Sequence, residues 1–113
     1  MILENTQFLL SVLFGLPLLI AGIIQYFFPP KEINSLYGYR TKRSMKNNHN
    51  WKIAQIYSAK LLIVFGLSYS IIAFISLVIK IELMVFEIFL LLLLIVHCGV
   101  IFVLVEKRLR KFM

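Results

Sequence analysis

Three long apolar segments dominate the pattern of hydrophobic and polar positions along the chain. Residues 8–28 and 61–79 contain no charged side chain, and residues 83–105 are interrupted only by Glu87 and His97. An α-helix of roughly 20 apolar residues crosses a bilayer core about 30 Å thick. The pattern therefore predicts an all-α integral membrane protein with three transmembrane helices. We expect residues 1–113 to form one membrane domain, with a loop at residues 29–60.

The distribution of charge predicts the orientation of these spans. The chain has 12 Lys and Arg against 5 Asp and Glu, for a formal net charge of +7. Most basic residues lie in the loop at residues 29–60 and in the tail after Val105, whereas the turn at residues 80–82 is neutral overall. Because basic loops are retained on the cytoplasmic side, we predict the N-terminus outside and the long loop and C-terminus inside.

The same charge raises nucleic-acid binding as an alternative, since basic proteins bind phosphate backbones. However, the basic loop is short and is joined at both ends to predicted membrane spans. We therefore predict no direct contact with nucleic acid.

Small residues indicate how the spans pack, because helices in lipid associate through close backbone approach. They recur at helical spacing in the first two spans: Ser11, Gly15 and Gly22, then Gly66, Ser70 and Ala73. These faces predict that the first two helices form the core of the bundle. The alternative is that glycine is simply frequent in transmembrane helices.

Two ionisable residues lie within the third span, and such residues are costly in lipid. His97 is at a depth similar to Ser68 and Tyr69 of the second span, so a neutral histidine with a hydrogen-bond partner is the simpler interpretation. A proton-linked or ligand-binding role for His97 is the alternative. Glu87 lies close enough to the outer end of its helix to reach the interface, which favours an anchoring role.

The loop segment at residues 35–51 contains residues that membrane topology does not explain. Gly38 lies between two tyrosines and permits a tight turn. Asn47 is a good helix N-cap, so we expect the second helix to run from about Asn48 to Ile79. Trp51 suits the headgroup region. Arg40 has three candidate roles: a clamp on helix-end carbonyls, an anchor for anionic lipid, or a contact for a partner. Membrane electrostatics accounts for the other basic residues, Lys42, Arg43 and Lys46.

The arrangement of Gly38, Arg40-Thr41, Asn47 and Trp51 between a first and a second span resembles the signature of the SdpI family of bacterial immunity membrane proteins. Asn34 just before this motif fits the same pattern. The resemblance implies a multi-pass protein of the bacterial cytoplasmic membrane that protects the cell against a secreted, membrane-active peptide toxin. It also implies signalling, in which the protein draws a cytosolic repressor to the membrane.

Other function classes make different demands on the sequence. A small transporter subunit or a lipid-binding membrane protein would depend more on His97 and Glu87 than on Arg40. Three helices enclose no water-filled path alone, so transport would require an oligomer. No set of nucleophile, base and oxyanion donor can be assembled from the polar residues, so we predict that the protein is not an enzyme. The single cysteine, Cys98, provides no metal-ligand set, and we expect no cofactor.

Overall fold

The computed structural model describes residues 5–111. Within this range the chain forms three α-helices: α1 (Thr6–Phe27), α2 (Asn48–Ser76) and α3 (Leu83–Arg110). Each of the three is long and apolar enough to cross a membrane. The predicted all-α architecture with three spans is therefore confirmed.

A side-chain cap explains where α2 begins, and the ends of α2 and α3 differ from the predicted spans. The side chain of Asn47 accepts a hydrogen bond from the backbone N–H of Asn50 at 2.8 Å, so α2 begins at Asn48 as predicted. α2 ends at Ser76, ahead of the predicted Ile79. α3 continues past the predicted residue 105 to Arg110. Basic side chains in its last turn interact favourably with the negative end of the helix dipole.

Glycines allow α1 and α2 to approach each other closely. A Cβ atom added at Gly66 would lie 2.7 Å from the backbone nitrogen of Leu19, and one added at Gly22 would lie 2.9 Å from the backbone nitrogen of Ile63. Gly15 packs in the same way against Tyr69. Small residues thus form the α1–α2 contact that the sequence predicts. Ser70 differs from this prediction because it is exposed.

α3 packs against this pair through larger side chains. Toward the end of the bundle where α3 begins, Leu90 and Phe86 are buried against Tyr69. Near the end that contains the loop between α1 and α2, Val105 and Leu109 are buried against α2. Much of the remaining α3 surface consists of exposed apolar side chains, including Leu91, Leu92, Ile95 and Val96. This surface suits contact with lipid.

Candidate functional site

The chain between α1 and α2 folds into a compact structure at one end of the bundle, and we call residues 28–47 the loop cap. Its contact with α3 centres on Glu106, whose carboxylate is buried. The hydroxyl groups of Tyr39 and Thr41 each donate a hydrogen bond to Glu106 Oε2 at 3.0 Å. Arg43 Nη1 lies 3.6 Å from the other carboxylate oxygen, Oε1. We refer to these four residues as the Glu106 cluster.

Electrostatic interactions within this cluster stabilise the buried Glu106 carboxylate and its contact with Tyr39. Burial raises the pKa of the Tyr39 phenol above its ordinary value, and the hydrogen bond and negative charge of Glu106 raise it further. The phenol therefore remains a neutral donor to the carboxylate. A buried carboxylate is costly unless it is paired, and the Arg43 guanidinium supplies the opposite charge.

Gln55 of α2 holds the backbone of the loop cap at Tyr39. The Tyr39 N–H donates to Gln55 Oε1 at 2.7 Å, and Gln55 Nε2 donates to the Tyr39 carbonyl oxygen at 2.8 Å. Gln25 of α1 donates from Nε2 to the Gln55 carbonyl oxygen at 2.8 Å and to Ser58 Oγ at 2.7 Å. These bonds connect α1, α2 and the loop cap in one network.

Gly38 is required by the backbone just before Tyr39. Its φ of +101° lies in the region that favours glycine. A Cβ atom added there would collide with Gln55 Oε1 and would lie 2.8 Å from Pro30 Cγ. The tight turn predicted from the sequence is thus present, and it allows the loop to approach Gln55.

Trp51 is buried inside this end of the protein and does not face the lipid headgroups. Only 1% of its surface is exposed. Its indole N–H donates to the Pro30 carbonyl oxygen at 2.7 Å. The prediction that Trp51 contacts the headgroup region is therefore wrong, because the loop cap covers the ring and supplies the hydrogen-bond partner that the indole needs.

Two turns built from polar side chains shape the rest of the loop cap. Thr41 N–H donates to Ser44 Oγ at 2.8 Å, and the buried Ser44 hydroxyl lies 3.0 Å from the Thr41 carbonyl oxygen. The side chain of Asn34 accepts hydrogen bonds from the N–H groups of Leu36 and Tyr37 at 2.9 and 2.7 Å. Asn34 and Thr41 thus order the loop locally, as Asx and Ser/Thr turns do.

The two arginines of the loop cap have different environments. Arg40 is exposed and its guanidinium donates to the carbonyl oxygen of Ser35. Arg40 therefore binds a carbonyl oxygen of the loop. The predicted role as a clamp on helix-end carbonyls is wrong. Arg43, which the sequence analysis assigned to membrane electrostatics, is the arginine that pairs with the buried Glu106.

The polar residues of the spans form a separate set. His97 Nδ1 lies 3.3 Å from the hydroxyl of Tyr69, and the His97 ring stacks on Phe65 with centroids 4.4 Å apart. The Ser68 hydroxyl instead donates to the Phe65 carbonyl oxygen at 2.6 Å. Of the two candidate partners of His97, the structure places Tyr69 beside it. Glu87 is exposed near the beginning of α3.

Three residues of the loop cap network were missed in the sequence, namely Glu106, Gln25 and Gln55. Glu106 carried a signal, since it is an acid between a long apolar span and a basic tail. Gln25 was a polar side chain within the first apolar segment. In the described part of the chain, no group of three or more His, Cys, Asp or Glu residues is placed to hold a metal ion.

The comparisons with known proteins cover most of the loop cap, all of α2 and most of α3. A sequence model of the SdpI/YfhL protein family matches residues 31–105. The chain belongs to the SdpI/YfhL family. One family relative, uncharacterized protein YfhL of Bacillus subtilis (strain 168), is 46% identical over 93 residues, which cover 82% of this chain and 79% of the relative. No solved structure matches the chain. The SdpI/YfhL match includes most of the loop cap and all of α2, so the chain is a multi-pass membrane protein of this family.

Proposed function

We propose that this SdpI/YfhL protein is an immunity protein that protects the cell against a secreted, membrane-active peptide toxin. We place it in the bacterial cytoplasmic membrane, with the loop cap and C-terminus on the cytoplasmic side, and we propose that it acts without catalysis. The main support is that the SdpI-like residues Gly38, Thr41 and Asn47 lie in the loop cap, and that Trp51 of α2 donates a hydrogen bond to it. Such a cap would hold three helices in a defined arrangement within the bilayer.

A groove at the opposite end of the bundle offers a place for the toxin. It has a volume of about 290 Å³ and an almost wholly apolar lining that includes Ile72, Ile75, Phe86 and Phe89. Under the proposed orientation it opens at the outer face, where a secreted peptide arrives. Binding an apolar segment of the peptide there would keep it from forming a lesion with other copies.

The proposal is tested by expressing the chain in toxin-sensitive cells. The cells are exposed to the purified peptide toxin of the best-known SdpI system, and survival and membrane potential are measured. We expect both to be preserved relative to cells with an empty vector. Unchanged killing, with the protein abundant in the membrane fraction, would contradict immunity to this toxin class.

Arg40 provides a more specific test, because its exposed guanidinium contacts only a loop carbonyl oxygen among its hydrogen-bond partners in the described residues, whereas the side chains of Tyr39 and Thr41 bind Glu106. We expect Arg40→Ala to reduce protection without lowering the amount of protein in the membrane. Lys42→Ala removes a charge from a neighbouring exposed position and serves as the control. Equal effects of the two substitutions would indicate a general requirement for basic charge.

A second candidate function is signalling, in which the loop cap binds a cytosolic repressor protein. The exposed basic side chains of Arg40, Lys42 and Lys46 favour it, since together they form a surface for an acidic partner. Recovery of a DNA-binding protein in membrane fractions, lost with Arg40→Ala, would support this role.

If His97→Ala impaired function more than Arg40→Ala, a transporter subunit or a lipid-binding role would be favoured instead.

A further inference from the structure

A second polar feature at the loop-cap end is a groove between the first turns of α2 and the last turns of α3. It has a volume of about 460 Å³. Four of its lining residues are basic: His49, Lys52, Lys60 and Arg108. The others are Ile53, Ile56 and Tyr57, and no described residue that lines the groove has a carboxylate. The groove therefore combines positive charge with an apolar floor.

The groove is an organised feature and not a random cluster of basic residues. Its α2 residues recur at intervals of three and four positions, so they share one face of the helix. The guanidinium carbon of Arg108 lies 5.3 Å from the centre of the Tyr57 ring. This cation–π contact brings a charge from α3 onto the α2 face. Lys52 and Lys60 are exposed beside it.

The position of the groove along the helices matches the headgroup layer of a bilayer. Lys60 directly precedes the charge-free segment 61–79. Arg108 follows the end of the third apolar segment, residue 105, by less than one helical turn. Tyrosine is enriched at this depth, and Tyr57 precedes Lys60 by less than one helical turn.

We propose that this groove binds the phosphate of an anionic phospholipid, with Lys60 and Arg108 as the contacts and Tyr57 supporting the Arg108 side chain. The lipid chains would continue along the apolar surfaces of α2 and α3. A lipid is favoured over a soluble anion because the charged wall meets an apolar floor at the edge of the spans. The bound lipid would bridge α2 and α3. This inference does not rest on the proposed immunity function.

Arg110 provides a matched control for general electrostatic attraction. It is an exposed arginine in the same basic tail, and it does not line the groove. Arg108→Gln and Arg110→Gln remove the same charge at nearly the same depth. General attraction to an anionic lipid surface increases affinity by about fivefold for each basic residue near that surface, whether or not the residue lines the groove.

The experiment uses the full chain purified in a neutral detergent. Phosphatidylglycerol, or phosphatidylcholine with the same acyl chains, is added, and bound lipid is counted by native mass spectrometry. We expect phosphatidylglycerol to be retained preferentially. We expect Arg108→Gln and Lys60→Gln each to weaken its retention by about tenfold, and Arg110→Gln by no more than about fivefold. Arg108→Lys retains the charge and should preserve most of the binding, while circular dichroism verifies that each variant remains helical.

Several results would overturn the proposal. Equal retention of the two lipids would show that the groove does not prefer anionic headgroups. Equal losses of phosphatidylglycerol retention in Arg108→Gln and Arg110→Gln would show only general electrostatic attraction. Displacement of bound phosphatidylglycerol by millimolar inorganic phosphate would identify a site for a soluble anion. A photo-crosslinker in place of Ile56 that captured a protein and no lipid in native membranes would identify a protein-docking surface.

Discussion

The Tyr39 hydroxyl donates a hydrogen bond to Glu106 at 3.0 Å and joins the loop cap to the end of α3. The two residues are 67 positions apart in the chain. Thr41 and Arg43 reach the same carboxylate, so three residues of one short loop converge on one acid from the third helix. This convergence ties α3 to the α1–α2 pair at the loop-cap end.

Removal of the Glu106 carboxylate should destabilise the protein. Glu106→Ala leaves two hydroxyl donors and Arg43 without their shared acceptor, and we expect a loss of about 2 to 3 kcal/mol in the free energy of unfolding. Glu106→Gln retains an acceptor oxygen and should cost less. Unfolding in detergent micelles, followed by circular dichroism, gives the values. Glu87→Ala, at an exposed acid of the same helix, is the control and should change stability by about 0.5 kcal/mol or less.

The two loop arginines should differ in their effect on stability. Arg43→Ala leaves the buried carboxylate without its nearby cation, and we expect it to cost about 1 kcal/mol or more. Arg40→Ala removes an exposed side chain that donates to a loop carbonyl oxygen, so its cost should be smaller. The same unfolding assay compares them. A larger loss for Arg40→Ala would contradict the assignment of Arg43 to the Glu106 cluster.

Stability should fall at alkaline pH because of Tyr39. Its pKa is raised in the folded protein, so the folded state holds the phenolic proton more tightly than the unfolded state does. The resulting stabilisation is complete below the ordinary tyrosine pKa of about 10 and is lost as the pH rises above it. Tyr39→Phe should show a weaker decrease in unfolding midpoint above that pH. Tyr26→Phe removes an exposed phenol and should retain the full decrease.

Gly38 and Gly99 should respond in opposite ways to alanine. Gly38→Ala places a side chain at a positive φ and against Gln55, so we expect a loss of about 1 to 3 kcal/mol. A Cβ atom at Gly99, within α3, meets no atom within 4 Å. Gly99→Ala should therefore be neutral or stabilise the protein by up to about 1 kcal/mol, because alanine favours helix. Comparable losses at both positions would contradict the strained turn.

The predictions that were correct were those that depend on local pattern. The length of each apolar segment identified the spans, and Asn47 marked the beginning of α2 because a side-chain cap acts within its own turn. Gly66 and Gly22 indicated the α1–α2 contact because helix periodicity places small residues on one face. Trp51 was assigned to the headgroup region from its residue type alone. That assignment was wrong because the loop cap folds over the Trp51 ring, and this contact depends on the tertiary structure.

The sequence by itself determined the membrane class of this protein, its three helices and its family, since hydropathy and a short motif are written along consecutive residues. Only the tertiary structure decided which charged residue matters at the loop-cap end. Glu106 has three partners because α3 continues past the third apolar segment and the loop cap folds over this end of α3. Burial then makes pairing with Tyr39, Thr41 and Arg43 necessary, since an unpaired carboxylate is costly away from water.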